Sequence, residues 1–251
     1  MILADFENLK TNYENILKRM KEHSALRNSE ANKFRPPQLV AVSKLQPLEK
    51  ILPLAELGQT MFGENYVQEF SKKKILLESE SLRWHFIGQL QSNKLKEVIG
   101  KCEWIHSIDS IKNVEKIESF VAEKKLSPQK ILLQVKSGPE VSKAGLDEEQ
   151  VRHIVSLIGK LNHVKICGLM TLPPLQSDPE RNRAYFRKLR QLLFELNDSL
   201  SPEHHLSELS MGTSHDYGVA IEEGATFVRV GTELFGQRPT KKEEKIDGSI
   251  S

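Results

Sequence analysis

Long apolar runs are missing from this chain. Nowhere in its 251 residues does an uninterrupted apolar stretch approach the roughly 20 residues a membrane span needs. The amino terminus, Met1-Ile2-Leu3-Ala4-Asp5-Phe6-Glu7, carries acids where a secretion signal has a basic start and an apolar centre. Cysteine is nearly missing too: Cys102 and Cys167 are the two present. They read as small core residues, not as a disulfide or metal pair. Charge of one sign is also scarce. The formal net charge is +2, with lysines interspersed among glutamates, which argues against a nucleic-acid or anionic-membrane surface. HExxH, CxxC, GxSxG, Walker and dinucleotide-binding motifs are all absent, and no His/Asp spacing suggests a metal. A reduced, cytoplasmic protein without a metal is the expectation.

What is present is a regular alternation. Hydrophobic residues make up 38% and charged residues 28%, enough for a sizeable core. Ile2, Phe6, Leu9, Tyr13, Ile16, Leu17 and Met20 recur at helical spacing, so residues 2–23 read as an amphipathic helix. Short apolar strands are then expected at 39–44, 60–65, 83–88, 104–109, 130–136, 164–170, 206–211 and 226–231. Helices are expected between them at 47–58, 66–79, 92–99, 111–125, 147–161, 179–199 and 215–223, with Gly58 as a helix cap. The Lys72-Lys73-Lys74 run reads as a solvated helix face. Strands alternating with helices imply a parallel sheet with crossover connections. Eight such units in about 200 residues favour an α/β fold of the single (β/α)8 TIM-barrel type, with an extra N-terminal helix, over an open doubly wound sheet. The barrel is expected to span residues 1–238, and the charged tail 239–251 to be disordered.

Barrel chemistry sits at the C-terminal ends of the strands. Those ends offer Lys44, Asn65, His85, Asp109, Lys136, Met170, Ser210 and Gly231. An amine at the rim of an apolar barrel loses hydration, and its neutral form becomes a nucleophile that can form a Schiff base; a lysine that reaches out to water is the alternative. Ser210-Met211-Gly212-Thr213-Ser214 and Arg229-Val230-Gly231-Thr232 end consecutive strands, where barrels often bind phosphate through backbone N–H groups and hydroxyls. Arg229 would be a buried cation in need of an acceptor, either a ligand ring nitrogen or carboxylate or a structural ion pair. His85 and His106 read as hydrogen-bonded core histidines. A Schiff-base lysine, a phosphate cradle and an arginine for a ring nitrogen together describe a site for pyridoxal 5′-phosphate, PLP.

The chain also resembles the YggS/PROSC family of PLP homeostasis proteins. The matching stretches are residues 40–44, Phe62-Gly63-Glu64-Asn65-Tyr66-Val67-Gln68-Glu69, residues 84–94, Ser142-Lys143-Ala144-Gly145, residues 168–170, residues 209–212 and residues 228–236. The resemblance implies a barrel like the N-terminal half of alanine racemase, with the cofactor on Lys44 as a Schiff base. It implies phosphate contacts at Ser210, Ser214, Gly231 and Thr232, Arg229 facing the pyridine nitrogen, and Asn65 near the cofactor; Met170 completes the expected set. Two positions depart from the family pattern: Lys136 stands where asparagine is usual, and Thr213 where methionine is frequent.

Two functions compete. One is a non-catalytic PLP-binding protein that buffers the cofactor or delivers it to PLP-dependent apoenzymes, expected to be a monomer. The other is a PLP-dependent amino acid racemase; a class I aldolase is a third possibility if the resemblance is set aside. An arginine at the ring nitrogen keeps that nitrogen unprotonated and weakens the ring as an electron sink. A racemase also needs a second acid/base on the opposite face, and the residues past the barrel offer no domain expected to bring one. The non-catalytic reading is preferred.

Overall fold

Each short apolar run forms a strand in the computed structural model, which describes residues 3–78, 80–137 and 144–236. The strands are β1 Gln38–Val42, β2 Met61–Glu64, β3 Arg83–Phe86, β4 Trp104–Ile108, β5 Gln129–Gln134, β6 Val164–Met170, β7 Glu208–Thr213 and β8 Phe227–Val230. All pair in parallel and in sequence order, and β8 returns to β1 to close the barrel. Closure leaves the sheet without an edge, and its strands are buried on both faces. Ile2, Ser142, Lys143 and the tail expected at 239–251 lie outside the described residues.

Strand alternation divides the core in two. Val40, Met61, Trp104, Leu132, Cys167, Met170 and Phe227 pack inside the barrel. Leu39, Ala41, Phe62, Ile105, Ile131 and Val228 face outward, into the larger core shared with the helices. In β1 Val40 points in, and by alternation so does the side of the strand that carries Lys44. Both cysteines are free and buried, and burial pushes each thiol up to about 12. Among the described residues, no helix is long and apolar enough to cross a membrane.

The helices are α1 Leu3–Ala25, α2 Leu48–Glu56, α3 Val67–Leu76, α4 Ile111–Lys124, α5 Glu148–Ser156, α6 Arg183–Asn197, α7 Tyr217–Glu222 and α8 Thr232–Phe235. Ser110 caps α4 by accepting from the Asn113 N–H, and Asp147 with Gln150 forms a capping box on α5. Gly58 follows α2 at φ +97°, the left-handed turn expected of a helix-ending glycine. The helix expected at 92–99 is instead a single 3₁₀ turn, Leu95–Glu97. Tight turns there suffice to bury Leu90, Leu95, Val98 and Ile99. The lysine run also differs from expectation. Lys72 is exposed, but Lys73 is buried, because it shares the inward stripe of Phe70 and Leu77 at helical spacing.

The N-terminal helix has a clear role. The last two helices are only six and four residues long, too small to cover β8 and β1. α1 packs against both of these helices and against α2, with Arg19 paired to Glu233 at 2.6 Å and His23 to Glu222 at 2.7 Å. Just past α1, the buried Arg27 guanidinium donates to the carbonyls of Ile221, Phe34, Arg35 and Ala225. At the N-terminal end of the barrel, Arg35 meets Glu208 at 2.6 Å and lies over the Phe227 ring. Glu103 there is held down to about 2 by its bond to Arg83, with Lys130 at 3.0 Å.

Gly168 sets the tightest strand approach, since a Cβ built there would lie 1.9 Å from the carbonyl oxygen of Glu208. Gly168→Ala must therefore spread β6 from β7, at a cost of about 3 kcal/mol or more. Urea unfolding checks this; a midpoint equal to that of the wild type would show the strands yield freely.

Candidate functional site at the barrel mouth

Closure brings the strand ends that carry the expected residues to one end of the barrel. β1 pairs with β2 on one side, Val42 opposite Gly63, and with β8 on the other, Val40 opposite Arg229. Lys44 thus emerges between Asn65 and Gly231, although Gly231 lies far downstream. Lys44 is half-buried, and it sits two residues past the end of β1, in a turn and not in the strand. Ladder pairing persists to Ser43, whose N–H donates to the Gly63 carbonyl at 3.0 Å.

Across the mouth, the Ser214 hydroxyl oxygen accepts from the N–H groups of Gly231, at 3.2 Å, and Glu233, at 3.4 Å. Thr232 between them is exposed. The β7 end and the β8 end therefore meet through N–H and hydroxyl groups. Asp216 supports the β7 end, a residue that sequence reasoning missed. Buried at the β7–α7 junction, its carboxylate accepts from the Thr213 N–H at 2.7 Å, the Thr213 hydroxyl at 3.0 Å and the Asn182 amide at 2.8 Å. The spacing Thr213-Ser214-His215-Asp216, in which an acid reaches back to the N–H three residues before it, is a local signal that was available in the sequence.

Arg229 and Ser210 lie deeper. Both are buried. Arg229 donates to the Ser210 hydroxyl and, at 2.9 Å, to the Thr171 carbonyl at the end of β6. Among the described residues it has no carboxylate within ion-pair distance, so its acceptors are neutral. Burial lowers its pKa to about 10, with Asp216 opposing the shift; at neutral pH it is still a cation. Such a group suits an electron-rich, uncharged acceptor such as a pyridine nitrogen. Met170 is fully buried, in the inner cluster beside Thr171.

The Ser210 hydroxyl also contacts His106 Nδ1 at 2.8 Å, and His106 Nε2 contacts His85 Nδ1 at 2.9 Å. The two histidines are core residues, as read from the sequence, but they form a polar file that ends on Arg229. Burial pushes His85 down to about 3, and burial together with His85 and Arg229 holds His106 well below the usual imidazole range. Both rings are therefore neutral, and His85 Nε2 has no partner.

Asn65 lines a cavity of about 400 Å³ with Ile87, Gln89, Gln134 and Leu172. Its Oδ1 is buried and has no partner, an acceptor left for something that enters the mouth. That orphan, the N–H and hydroxyl groups at Ser214 and Gly231, and the buried cation with neutral acceptors fit a phosphorylated aromatic cofactor. Of the two departures, Lys136 is exposed and Thr213 serves Asp216. A cleft of about 490 Å³ also opens at the other end of the barrel, beside Lys130 and Glu208; none of the residues expected to bind the cofactor lines it.

Comparison with known proteins follows the same lines. Residues 5–239 match the family described as alanine racemase, N-terminal domain. A pyridoxal phosphate homeostasis protein of Aquifex aeolicus is 44% identical over 203 residues, covering 80% of this chain and 87% of that protein. One of Vibrio alginolyticus is 40% identical, covering 86% and 94%. The structure of PipY from Synechococcus elongatus PCC7942 with PLP bound superposes with a TM-score of 0.75 at 36% identity, over 87% of this chain and 99% of that one. Alanine racemase of Corynebacterium glutamicum, at 17% identity and a TM-score of 0.60, covers 90% of this chain but 62% of its own; that likeness is one of fold alone.

The neutral histidines make stability depend on pH. Their folded pKa values lie below the unfolded value of about 6.5, so the unfolded chain takes up protons that the folded one refuses. Stability is full above pH 6.5 and falls as the pH drops towards 3, by up to about 1.4 kcal/mol per pH unit for each ring. His85→Phe should reduce the slope between pH 6 and pH 4. Denaturant titrations across that range measure it, and an unchanged slope would mean that His85 is protonated in the native state.

Proposed function

The chain belongs to the family of pyridoxal phosphate homeostasis proteins, and from that premise we propose that it binds PLP at the barrel mouth and holds it as a Schiff base on Lys44. The observation that carries the reading is the pairing of two features on neighbouring strands. One is an amine at the end of β1; the other is a buried guanidinium on β8 whose protein acceptors are all neutral. When bound, the cofactor supplies an aldehyde and a ring that delocalises charge.

Each residue then has a task. Lys44 would hold the cofactor through its amine, the nucleophile that matches an aldehyde. Arg229 donates towards the ring nitrogen, held in place by Ser210 and the Thr171 carbonyl. Ser214, Gly231 and Thr232 take the phosphate with hydroxyl and backbone N–H groups, supported by Asp216. Asn65 would offer its orphaned acceptor to the cofactor, and Met170 would offer an apolar contact. Ser210, expected in the phosphate set, has its hydroxyl engaged by Arg229 and His106 and contributes through them.

The role is storage and delivery of the cofactor, not turnover of amino acids. An arginine at the ring nitrogen leaves it unprotonated and removes much of the ring's power to accept electrons. The two histidines nearest that arginine are neutral and buried, so neither serves as an acid or base towards a substrate in the mouth. The naming of the relatives as homeostasis proteins supports the same reading. The recipients are PLP-dependent apoenzymes.

Mixing the purified protein with PLP should produce imine absorption that is lost in Lys44→Ala; no band from wild type would sink the reading. Chiral analysis after incubation with several amino acids should show no substantial racemisation, and clear turnover would assign an enzyme instead. Arg229→Ala and Ser210→Ala should each weaken PLP retention on gel filtration by about tenfold, the loss of one charge-assisted bond, while the circular dichroism of the barrel is kept.

A further inference from the structure

The lysine run of α3 was expected to face water, yet its middle residue is built into the back of the Lys44 turn. Lys73 Nζ donates three hydrogen bonds: to the Ser43 carbonyl at 2.6 Å, to Glu64 Oε1 at 2.9 Å and to Glu69 Oε1 at 2.6 Å. These use all three of its donors. The same two carboxylates grip the turn themselves. Glu64 Oε1 accepts from the Ser43 hydroxyl at 2.6 Å, and Glu69 Oε1 accepts from the Leu45 N–H at 2.6 Å. Lys44 is thus bracketed on both sides by residues whose backbone or side chain ends on one buried ammonium.

The clamp has a cost, which argues for a purpose. Glu64 is fully buried, its Oε2 has no partner, and burial raises its pKa despite Lys73 and Ser43. A buried ion pair of this kind is seldom a net source of stability against an apolar replacement. Leu45 is held at φ +60°, a left-handed conformation unfavourable for leucine, while its side chain is 44% exposed. Packing of that side chain therefore does not explain the turn. The polar clamp does, and what it fixes is the direction in which the chain presents Lys44.

We propose that Lys73, bridging Glu64 and Glu69, is a positioning residue that aims Lys44 at the cofactor's aldehyde. The proposal rests on the reading of Lys44 as the Schiff-base lysine. Lys73 touches neither the aldehyde nor the amine; it acts through Ser43 and Leu45. A misdirected amine still condenses, but slowly, because fewer of its conformations reach the carbonyl in line.

Two variants separate positioning from support of the fold. Lys73→Met combined with Glu64→Gln removes both charges together and leaves no buried ion unpaired. Glu69→Ala releases the Leu45 N–H and one bond of Lys73 at a half-buried position, and it keeps the Lys73–Glu64 pair. The readout is the rate at which the imine band grows after mixing with PLP, per folded molecule, alongside the melting temperature. Both variants should form the imine roughly tenfold more slowly or worse, with Glu69→Ala melting close to wild type. Wild-type rates in the folded variants would overturn the proposal, whatever their melting temperatures. If the double variant does not fold, Glu69→Ala decides alone. Absence of the band in wild type would overturn the Schiff-base reading and this proposal with it. A normal wild-type band matched in rate by the variants would overturn this proposal alone.

Discussion

The pairing of β1 with β8 is the contact on which the rest depends. Without it the chain would be an open twisted sheet, and Lys44 would stand at one edge with Gly231 at the other. With it, Val40 lies opposite Arg229 and the Lys44 turn opens beside Ser214 and Gly231. Closure also explains α1. The seam between first and last strand is flanked by the two shortest helices, and an additional helix must shield it from water. Residues that look peripheral in the sequence, such as Arg19, His23 and Arg27, are therefore tied to α7, to α8 and to the loop before β8.

A second constraint follows from filling the barrel. Its lower interior is apolar and aromatic, with Trp104, Phe227, Val40 and Leu132 in contact. Its upper interior is polar, and every polar group placed there must find a partner or wait for one. Arg229, Ser210, His106 and His85 bond one another in a file, with His85 Nε2 left over. Burial keeps the histidines neutral, and the file holds the arginine in place. The groups left over on the mouth side, above all Asn65 Oδ1, then mark where a ligand's polar atoms belong. The same economy of partners operates outside the barrel wall, where Lys73, Glu64 and Glu69 hold the turn that carries Lys44. The outer network bonds Ser43 and Leu45, the two neighbours of Lys44, and so fixes the turn at the mouth.

How much of this was legible in the sequence can be judged residue by residue. Val40-Ala41-Val42 shows its strand and its parity because a strand alternates over neighbours only. Gly58 shows its cap because glycine alone enters a left-handed turn freely. Lys44 and Arg229 stand out because a charge in an apolar run is expensive in any fold. Lys73 was misread because a run of three lysines looks solvated, although its spacing from Phe70 and Leu77 carried the signal of an inward stripe. The segment at 92–99 was misread because its apolar residues suit a helix and a set of tight turns equally well. Asp216 was overlooked because its partners, Asn182 and Thr213, come from two different strand–helix units.

The sequence by itself determined the alternation of strands and helices, the inward side of β1 and the chemistry available at the strand ends. These rest on short-range periodicity and on the cost of burying charge, both properties of local chain. Only the tertiary structure decided that the sheet closes, that Lys44 and Gly231 face one opening, that two histidines and a serine support Arg229, and that Lys73 turns inward to brace the Lys44 turn. Each of these depends on which surfaces meet across many residues of chain. No local pattern encodes the partner that a buried polar group will find once the barrel has formed.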